Sequence, residues 1–156
     1  SHPRNEELAL IHPPAEIMPN PGVLVSISHT YHACVSAFEH FTARNLTQWR
    51  VLYLLSRIQK CSQKYVVQMT WMDPGAITRA IQSLEDESLV TRETDASDNR
   101  IKTLKITTKG VAVAKDMMKR RKALMEIMLE GVSKSDIETL EKVLRVIEDN
   151  LMKARK

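Results

Sequence analysis

Glycine, cysteine and tryptophan are scarce in this sequence, and these scarcities narrow the possible classes of protein. The 156 residues include 4 glycines, 2 cysteines and 2 tryptophans. So few glycines argue against a loop-rich or β-rich protein and favour a mainly α fold. Two distant cysteines, Cys34 and Cys61, cannot form a disulfide framework. No apolar run reaches the roughly 18 residues of a membrane span, and the start lacks a secretory signal pattern, so we expect a cytoplasmic protein that has no membrane partner.

Charge is unevenly distributed along the chain. Residues 44–122 contain 16 Lys and Arg against 8 Asp and Glu, a net charge of +8, whereas the remainder carries a net charge of −4. A basic middle between acidic ends is typical of a central nucleic-acid-binding module. A solvated basic surface with no nucleic-acid partner would give the same counts.

The chain begins with a proline-rich segment and then becomes periodic. Residues 1–22 contain five of the six prolines, which predicts an extended arm. Apolar residues three and four positions apart predict an amphipathic helix over 23–45. Near the other end, Thr107 or Thr108 is expected to cap a long helix that Gly131 breaks, and Ser133 to cap a last helix. The apolar stripe of that last helix spans two heptads and must be buried against another surface.

Residues 46–107 predict a compact lobe. The expected elements are two helices capped by Thr47 and Ser62, a third helix starting at Asp73-Pro74, and strands over 89–94 and 101–106. A polar turn joins the two strands into a hairpin. Short helix, turn, second helix and two-stranded β-wing make a winged helix-turn-helix, whose second helix fits the DNA major groove.

Candidate DNA-binding residues lie at the start of that second helix and at the tip of the wing. They are Gly75, Ala76, Thr78, Arg79, Gln82, Asp98 and Arg100. The small residues allow close approach, Thr78 suits a base edge or a thymine methyl, and Arg79 suits a guanine or a phosphate. Arg100 is long enough to enter a minor groove, or it pairs with Asp95 or Asp98 and braces the hairpin; both roles can coexist.

These motifs together resemble the MarR family of regulators. Residues 73–79 are similar to the family's D-P-S-x-V-T-R recognition-helix start, 95–100 to its D-P-x-D-x-R wing tip, and 106–110 to its L-T-x-K-G helix start. Trp71 and Ser88 stand where the family usually has glycine, which raises the question of whether their backbones need positive φ. The resemblance implies an obligate homodimer built from the first helix and the last two, with 23–45 and 108–156 as its dimerisation region. It also implies a palindromic operator and a repressor released by a ligand or an oxidant.

A regulatory site is expected in the crevice that the resemblance places between the dimerisation region and the DNA-binding lobe. The candidate effector-binding residues are His29, His32, Trp49, Arg50 and Tyr53. They suit a small aromatic acid whose carboxylate pairs with Arg50 or a histidine, although Trp49 is equally well explained as core.

Metal- or redox-sensing variants of this regulator stay open alternatives. His29 and His32 have a spacing that can share a metal, but no further ligand stands out, so we predict no metal and no cofactor. Cys34 is either a redox switch or a buried inert thiol, and Cys61 precedes a helix N-cap that would lower its pKa.

No catalytic motif occurs in the sequence, so we do not expect an enzyme. It lacks a G-x-S-x-G elbow, a glycine-rich phosphate loop and an H-E-x-x-H metal motif. The remaining alternative is a helical adaptor whose basic middle binds a protein or an anionic surface. An adaptor needs neither a recognition-helix start nor a wing tip, so these two motifs favour a DNA-binding regulator.

Overall fold

The computed structural model describes residues 22–155. Six helices and three strands occur in these residues, in the order α1 (Gly22–Thr42), α2 (Leu46–Ile58), β1 (Lys60–Ser62), α3 (Gln63–Thr70), α4 (Pro74–Asp86), β2 (Val90–Thr94), β3 (Lys102–Ile106), α5 (Thr108–Met128) and α6 (Lys134–Ala154). The mainly α fold is confirmed. None of these helices combines the length and the apolar composition that a membrane crossing requires. The predicted arm lies outside the described residues except for Gly22, which begins α1.

The described part of the chain divides into two compact units between Leu124 and Met125. The first unit contains the whole of the predicted lobe. The second consists of the end of α5 and all of α6. In α6 no residue is buried within the single chain.

Side chains that accept hydrogen bonds from backbone N–H groups define where the helices start. The predicted caps Ser62, Asp73 and Ser133 are confirmed, with Ser62 accepting from the N–H of the residue three positions on. Thr107 caps α5, since its hydroxyl accepts from the N–H of Gly110 at 3.0 Å. The prediction for α2 was wrong by two residues. Its cap is Asn45, whose side chain accepts from the N–H of Gln48 at 2.8 Å, because α1 ends sooner than the periodicity predicted.

The wing belongs to a three-stranded antiparallel sheet with the strand order β1-β3-β2. The predicted hairpin is confirmed, since Val90 pairs with Ile106 and Thr94 with Lys102. Strand β1 was not predicted, because three residues are too short to show an alternating pattern. The chain enters β1 through Gln59, which has a φ of 63° and whose carbonyl accepts from the N–H of Ile106 at 3.1 Å.

One hydrophobic core lies inside the lobe, between its helices and its sheet. The side chains with no exposed surface come from the inner faces of α2, α3, α4 and the sheet: Val51, Leu52, Leu55, Val66, Ile77, Ile81, Leu84, Leu89 and Leu104. Phe38 from the end of α1 and Met117 from α5 complete it. Because α4 is packed on this core by its inner face, its outer face is held at a defined angle to the hairpin.

The first turns of α1 differ from the rest of the unit. Leu24 is 79% exposed and Tyr31 is 52% exposed, although both lie on the predicted apolar face of this helix. Apolar side chains are therefore left in water at the start of α1 within one chain.

Candidate DNA-binding surface and effector cleft

The recognition helix α4 begins with a fixed geometry. The Asp73 carboxylate accepts from the N–H of Ala76 at 2.9 Å, and Pro74 occupies the first helical position. Proline has no N–H to leave unpaired there, and its φ already suits the helix. The buried residues of α4 lie on one face, which leaves Thr78, Arg79 and Gln82 exposed on the other. The structure thus brings these three predicted residues together on one surface.

Gly75, near the start of α4, leaves room for the side chains of Asp73 and Arg79. A Cβ atom at Gly75 would lie 3.4 Å from Nη1 of Arg79 and 3.0 Å from Oδ2 of Asp73. No ion pair or hydrogen bond of the Arg79 guanidinium occurs among residues 22–155. Gln82, by contrast, donates to the Asp86 carboxylate at 3.0 Å. Of the polar groups on this face, the guanidinium is therefore the one that a phosphate or a guanine meets without displacing a partner.

The wing tip is organised by two aspartates. The Asp95 carboxylate accepts from the backbone N–H groups of Ser97 at 2.8 Å and Asp98 at 3.1 Å. The hydroxyl of Ser97 also donates to it, and these hydrogen bonds lower the pKa of Asp95. Arg100 donates to Asp98 from its backbone at 2.9 Å and from Nε at 3.1 Å, which lowers the pKa of Asp98.

Arg100 is 91% exposed in its side chain despite this contact. The bracing role considered for Arg100 therefore occurs here, and the guanidinium still points into solvent. Such an exposed pair contributes little stability, so exchanging Asp98 for a phosphate costs little. The position of Asp98 in the predicted site is explained by this contact with Arg100.

Two ion pairs fix the C-terminal end of α4, and the sequence analysis did not predict them. Arg44 donates to both carboxylate oxygens of Glu87, at 3.1 and 2.7 Å, and Arg92 donates to both oxygens of Glu85, at 3.1 and 3.2 Å. The hydrogen bond from Arg44 lowers the pKa of Glu87. Lys109 also donates to the backbone carbonyl of Glu87 at 3.0 Å. These contacts connect the recognition helix to the α1–α2 corner, the wing and α5, and no local signal pairs residues 43 positions apart.

The positions questioned by the family resemblance do adopt left-handed backbone. Trp71 ends α3 with a φ of 57°, and Ser88 has a φ of 61°. The turns therefore have the geometry for which glycine is favoured, and Trp71 and Ser88 tolerate it at some cost in free energy.

A cleft of about 370 Å³ contains three of the five predicted effector-binding residues. It is lined by Leu46, Trp49, Arg50, Tyr53, Met118 and Arg121. The ring centroids of Trp49 and Tyr53 lie 5.3 Å apart, and those of Trp49 and Phe38 lie 6.2 Å apart. Trp49 is only 5% exposed, so it belongs to the core as well as to the cleft wall. His29 and His32 do not line this cleft.

Met118 and Arg121 are the lining residues that the sequence analysis missed. They lie three positions apart on α5, a spacing that places them on one helix face. The paired basic residues Arg120 and Arg121 were visible in the sequence. Only the packing of α5 against α2 shows which of them reaches the cleft.

The structure also bears on the metal-sensing and redox-sensing alternatives. Within residues 22–155 no three His, Cys, Asp or Glu side chains are grouped so that they could hold a metal ion. Both cysteines are half-buried. Burial raises the pKa of the Cys61 thiol, so the expectation that a helix N-terminus lowers it was wrong, and desolvation is the stronger effect.

Comparison with known proteins places this arrangement among transcription regulators. The sequence model of the MarR family matches residues 45–102. An uncharacterized HTH-type transcriptional regulator of Bacillus subtilis (strain 168), YdgJ, is 28% identical over 114 residues, which cover 73% of this chain and 70% of YdgJ.

Solved structures share the fold. A MarR transcriptional regulator from Methanosarcina mazei Go1 is 25% identical, with a TM-score of 0.70 over 83% of this chain and 95% of that one. A mutant MarR from E. coli complexed with operator DNA is 20% identical, with a TM-score of 0.72 over 85% of this chain and 96% of that one. The likeness thus extends beyond the central lobe to most of the described chain.

Proposed function

This chain belongs to the MarR family of transcriptional regulators, and from that premise we propose that it acts as a homodimer on a palindromic operator, as a ligand-responsive repressor. The family and the B. subtilis relative are transcription regulators rather than enzymes. The observation that carries the proposal is the exposed face of α4, with the Arg79 guanidinium free of described partners, together with an exposed Arg100 at the wing tip. One cation suits a major groove and the other an adjacent minor groove. We accordingly expect the protein in the cytoplasm, where the operator lies.

Exposed apolar surface supports the homodimer. Leu140, Val146 and Leu151 of α6 are at least half exposed, and so are Leu24 and Tyr31 of α1. Soluble monomers rarely keep so many large apolar side chains in water. Two-fold pairing through these helices would bury them and would place two recognition helices about 34–36 Å apart, one turn of DNA.

Sedimentation of a Leu140→Glu variant tests the pairing, because Leu140 and Leu151 share one face of α6 and Lys142 lies on the opposite face. We expect the wild-type chain to sediment as a dimer and the variant to shift toward the monomer, because a glutamate in an apolar interface must be desolvated. Exposed Lys142, also on α6, provides the control substitution Lys142→Gln, which should leave the dimer intact. A wild-type chain that sediments as a monomer at micromolar concentration would contradict the homodimer.

Operator binding is tested by selecting duplexes from a random pool and measuring affinity against salt concentration. Arg79→Gln and Arg100→Gln should each weaken binding by about 10-fold or more. A variant that loses only a phosphate contact should also lower the salt slope by about one charge per subunit. Lys142→Gln is again the control and should change neither quantity.

The adaptor alternative predicts a different result. A helical adaptor would select no duplex above the background of the pool, and its weak binding to DNA would be indifferent to Arg79 and Arg100 substitutions individually. Unchanged affinity in both arginine variants would therefore refute the proposed mode of DNA binding.

The aromatic cleft supports a ligand response. Two guanidiniums, from Arg50 and Arg121, line the same cleft as the aromatic rings of Trp49 and Tyr53. An aromatic acid would place its ring against the apolar wall and its carboxylate at a guanidinium. Because α2 packs on α4 through the core, a ligand in this cleft is placed to favour one spacing of the recognition helices over another.

A panel of substituted benzoates tests this ligand class. We expect at least one member to raise the melting temperature and to weaken DNA binding, and Arg50→Gln to remove both effects. His32→Gln is the matched control, since His32 does not line the cleft. A benzoate that stabilises the protein yet leaves its DNA affinity unchanged would contradict ligand-controlled repression.

A further inference from the structure

The hydroxyl of Thr78, at the centre of the recognition surface, is already engaged within the protein. Its Oγ1 donates to the backbone carbonyl of Pro74 at 3.0 Å, one helical turn earlier. The same oxygen accepts from Nε2 of Gln63 at 3.0 Å. The single proton of the hydroxyl and one of its two lone pairs are therefore used before any DNA is bound.

Gln63 comes from a different helix. It is the first residue of α3, follows the Ser62 cap and is half-buried, whereas Thr78 is exposed. Its carboxamide spans from α3 to α4 and donates to the Thr78 hydroxyl. With two anchors in different directions, the Thr78 side chain is restricted to one rotamer.

With its proton committed, the Thr78 hydroxyl offers a base edge one remaining lone pair, whereas its methyl group is uncommitted. To donate to an acceptor on guanine, adenine or thymine, the hydroxyl would have to give up its bond to Pro74. The Cγ2 methyl has no such commitment. In the major groove the apolar group that identifies a base is the 5-methyl of thymine.

We propose that Thr78 recognises a thymine through contact between its methyl group and the thymine 5-methyl, and that Gln63 is the positioning residue that keeps the hydroxyl turned away. This inference rests on the proposed operator binding and refines it. It assigns a base preference to one position of each half-site and a role in specificity to a residue of α3.

Replacement of thymine by deoxyuridine tests the proposal, because it removes the methyl and keeps every hydrogen-bonding group of the base. The probe is the duplex selected from the random pool, with each thymine of the half-site replaced in turn and symmetrically. Loss of one buried methyl contact lowers affinity about fourfold. Replacing the contacted thymine in both half-sites should therefore weaken wild-type binding about 15-fold.

Two variants at position 78 separate the methyl from the hydroxyl. Thr78→Val keeps the methyl and removes the hydroxyl, so it should retain the preference for thymine over deoxyuridine. Thr78→Ser keeps the hydroxyl and removes the methyl, so its ratio of affinities for the two duplexes should fall to about 1.

Variants of glutamine test the positioning role. Gln63→Met preserves length but cannot donate to the hydroxyl, so the thymine preference should fall to less than half of its wild-type ratio. Gln82→Met, on the exposed face of α4, is the matched control, because Gln82 binds Asp86 rather than Thr78. It should leave the ratio at this thymine unchanged even where it alters overall affinity.

The outcomes distinguish this inference from the proposed function. If no duplex is selected, operator binding itself fails and this inference fails with it. If a duplex is selected but every deoxyuridine replacement is neutral, only the methyl contact is overturned. The same conclusion follows if Thr78→Val discriminates no better than Thr78→Ser. A Gln63→Met protein with the full wild-type ratio would overturn the positioning role.

Discussion

Gly110, in the first turn of α5, is expected to tolerate no larger residue. A Cβ atom there would lie 2.1 Å from the carbonyl oxygen of Leu89 and 2.8 Å from Cγ1 of Ile106. That carbonyl is fixed, because it accepts from the backbone N–H of Thr107 at 3.0 Å and from the Thr107 hydroxyl at 3.1 Å. Relief of the clash therefore requires moving α5 away from the base of the wing.

The substitution Gly110→Ala has two opposing effects on the free energy of unfolding. Alanine is favoured over glycine in a helix by about 1 kcal/mol. Overpacking against an immobile backbone costs about 3 kcal/mol, the upper end of the usual range. We expect a net loss of about 2 kcal/mol, which lowers the melting temperature by about 4–8 °C in a chain of this size. Since Leu89 leads into β2, operator affinity should fall as well.

Urea denaturation at a fixed protein concentration measures this loss, because the stability of a dimer depends on concentration. Gly131→Ala is the control. It meets no atom within 4 Å but has a φ of +78°, so it should cost only about 1 kcal/mol of left-handed strain. If Gly110→Ala were instead more stable by about 1 kcal/mol, helix propensity would dominate and the argument from close approach would be refuted.

Two further substitutions test the surroundings of the recognition helix. Glu87→Gln should lower the free energy of unfolding by about 0.5–1 kcal/mol at pH 7, because it breaks the bidentate ion pair between Glu87 and Arg44, which is partly exposed to solvent. The folded pKa of Glu87 is lowered, so this difference should vanish in thermal melts as the pH falls below the ordinary glutamate value of 4.5, and a constant difference down to pH 2 would contradict it. Trp71→Gly should raise the free energy of unfolding by about 0.5–1 kcal/mol, since Trp71 is 74% exposed and has positive φ. Buried Trp49 supplies the fluorescence signal for that measurement, and a loss above 1 kcal/mol would mean that the Trp71 side chain is needed for packing.

The helices and the hairpin were predictable from the sequence because their signals are local. An N-cap acceptor followed by proline marks the start of α4 at Asp73, whichever residues lie elsewhere in the chain. The polar turn between two alternating segments likewise predicts the wing. These signals act over three or four residues, and they were sufficient to indicate the winged helix-turn-helix and its exposed recognition face.

Local signals failed where two capping residues compete or where an element is very short. Asn45 and Thr47 both suit an N-cap, and the choice depends on where α1 ends, which is at Thr42, before Ala43 with its φ of 55°. Strand β1 exists because its three residues pair with β3, more than 40 positions later.

Contacts between distant segments depended entirely on the folded arrangement. Arg44 meets Glu87, Met118 meets the aromatic cleft, and Gln63 meets Thr78 only after the helices have packed on their common core. Each side chain has several partners of suitable chemistry along the sequence. Periodicity and capping therefore specify which elements form and which faces are polar, whereas burial of one shared core selects the partner of each polar group.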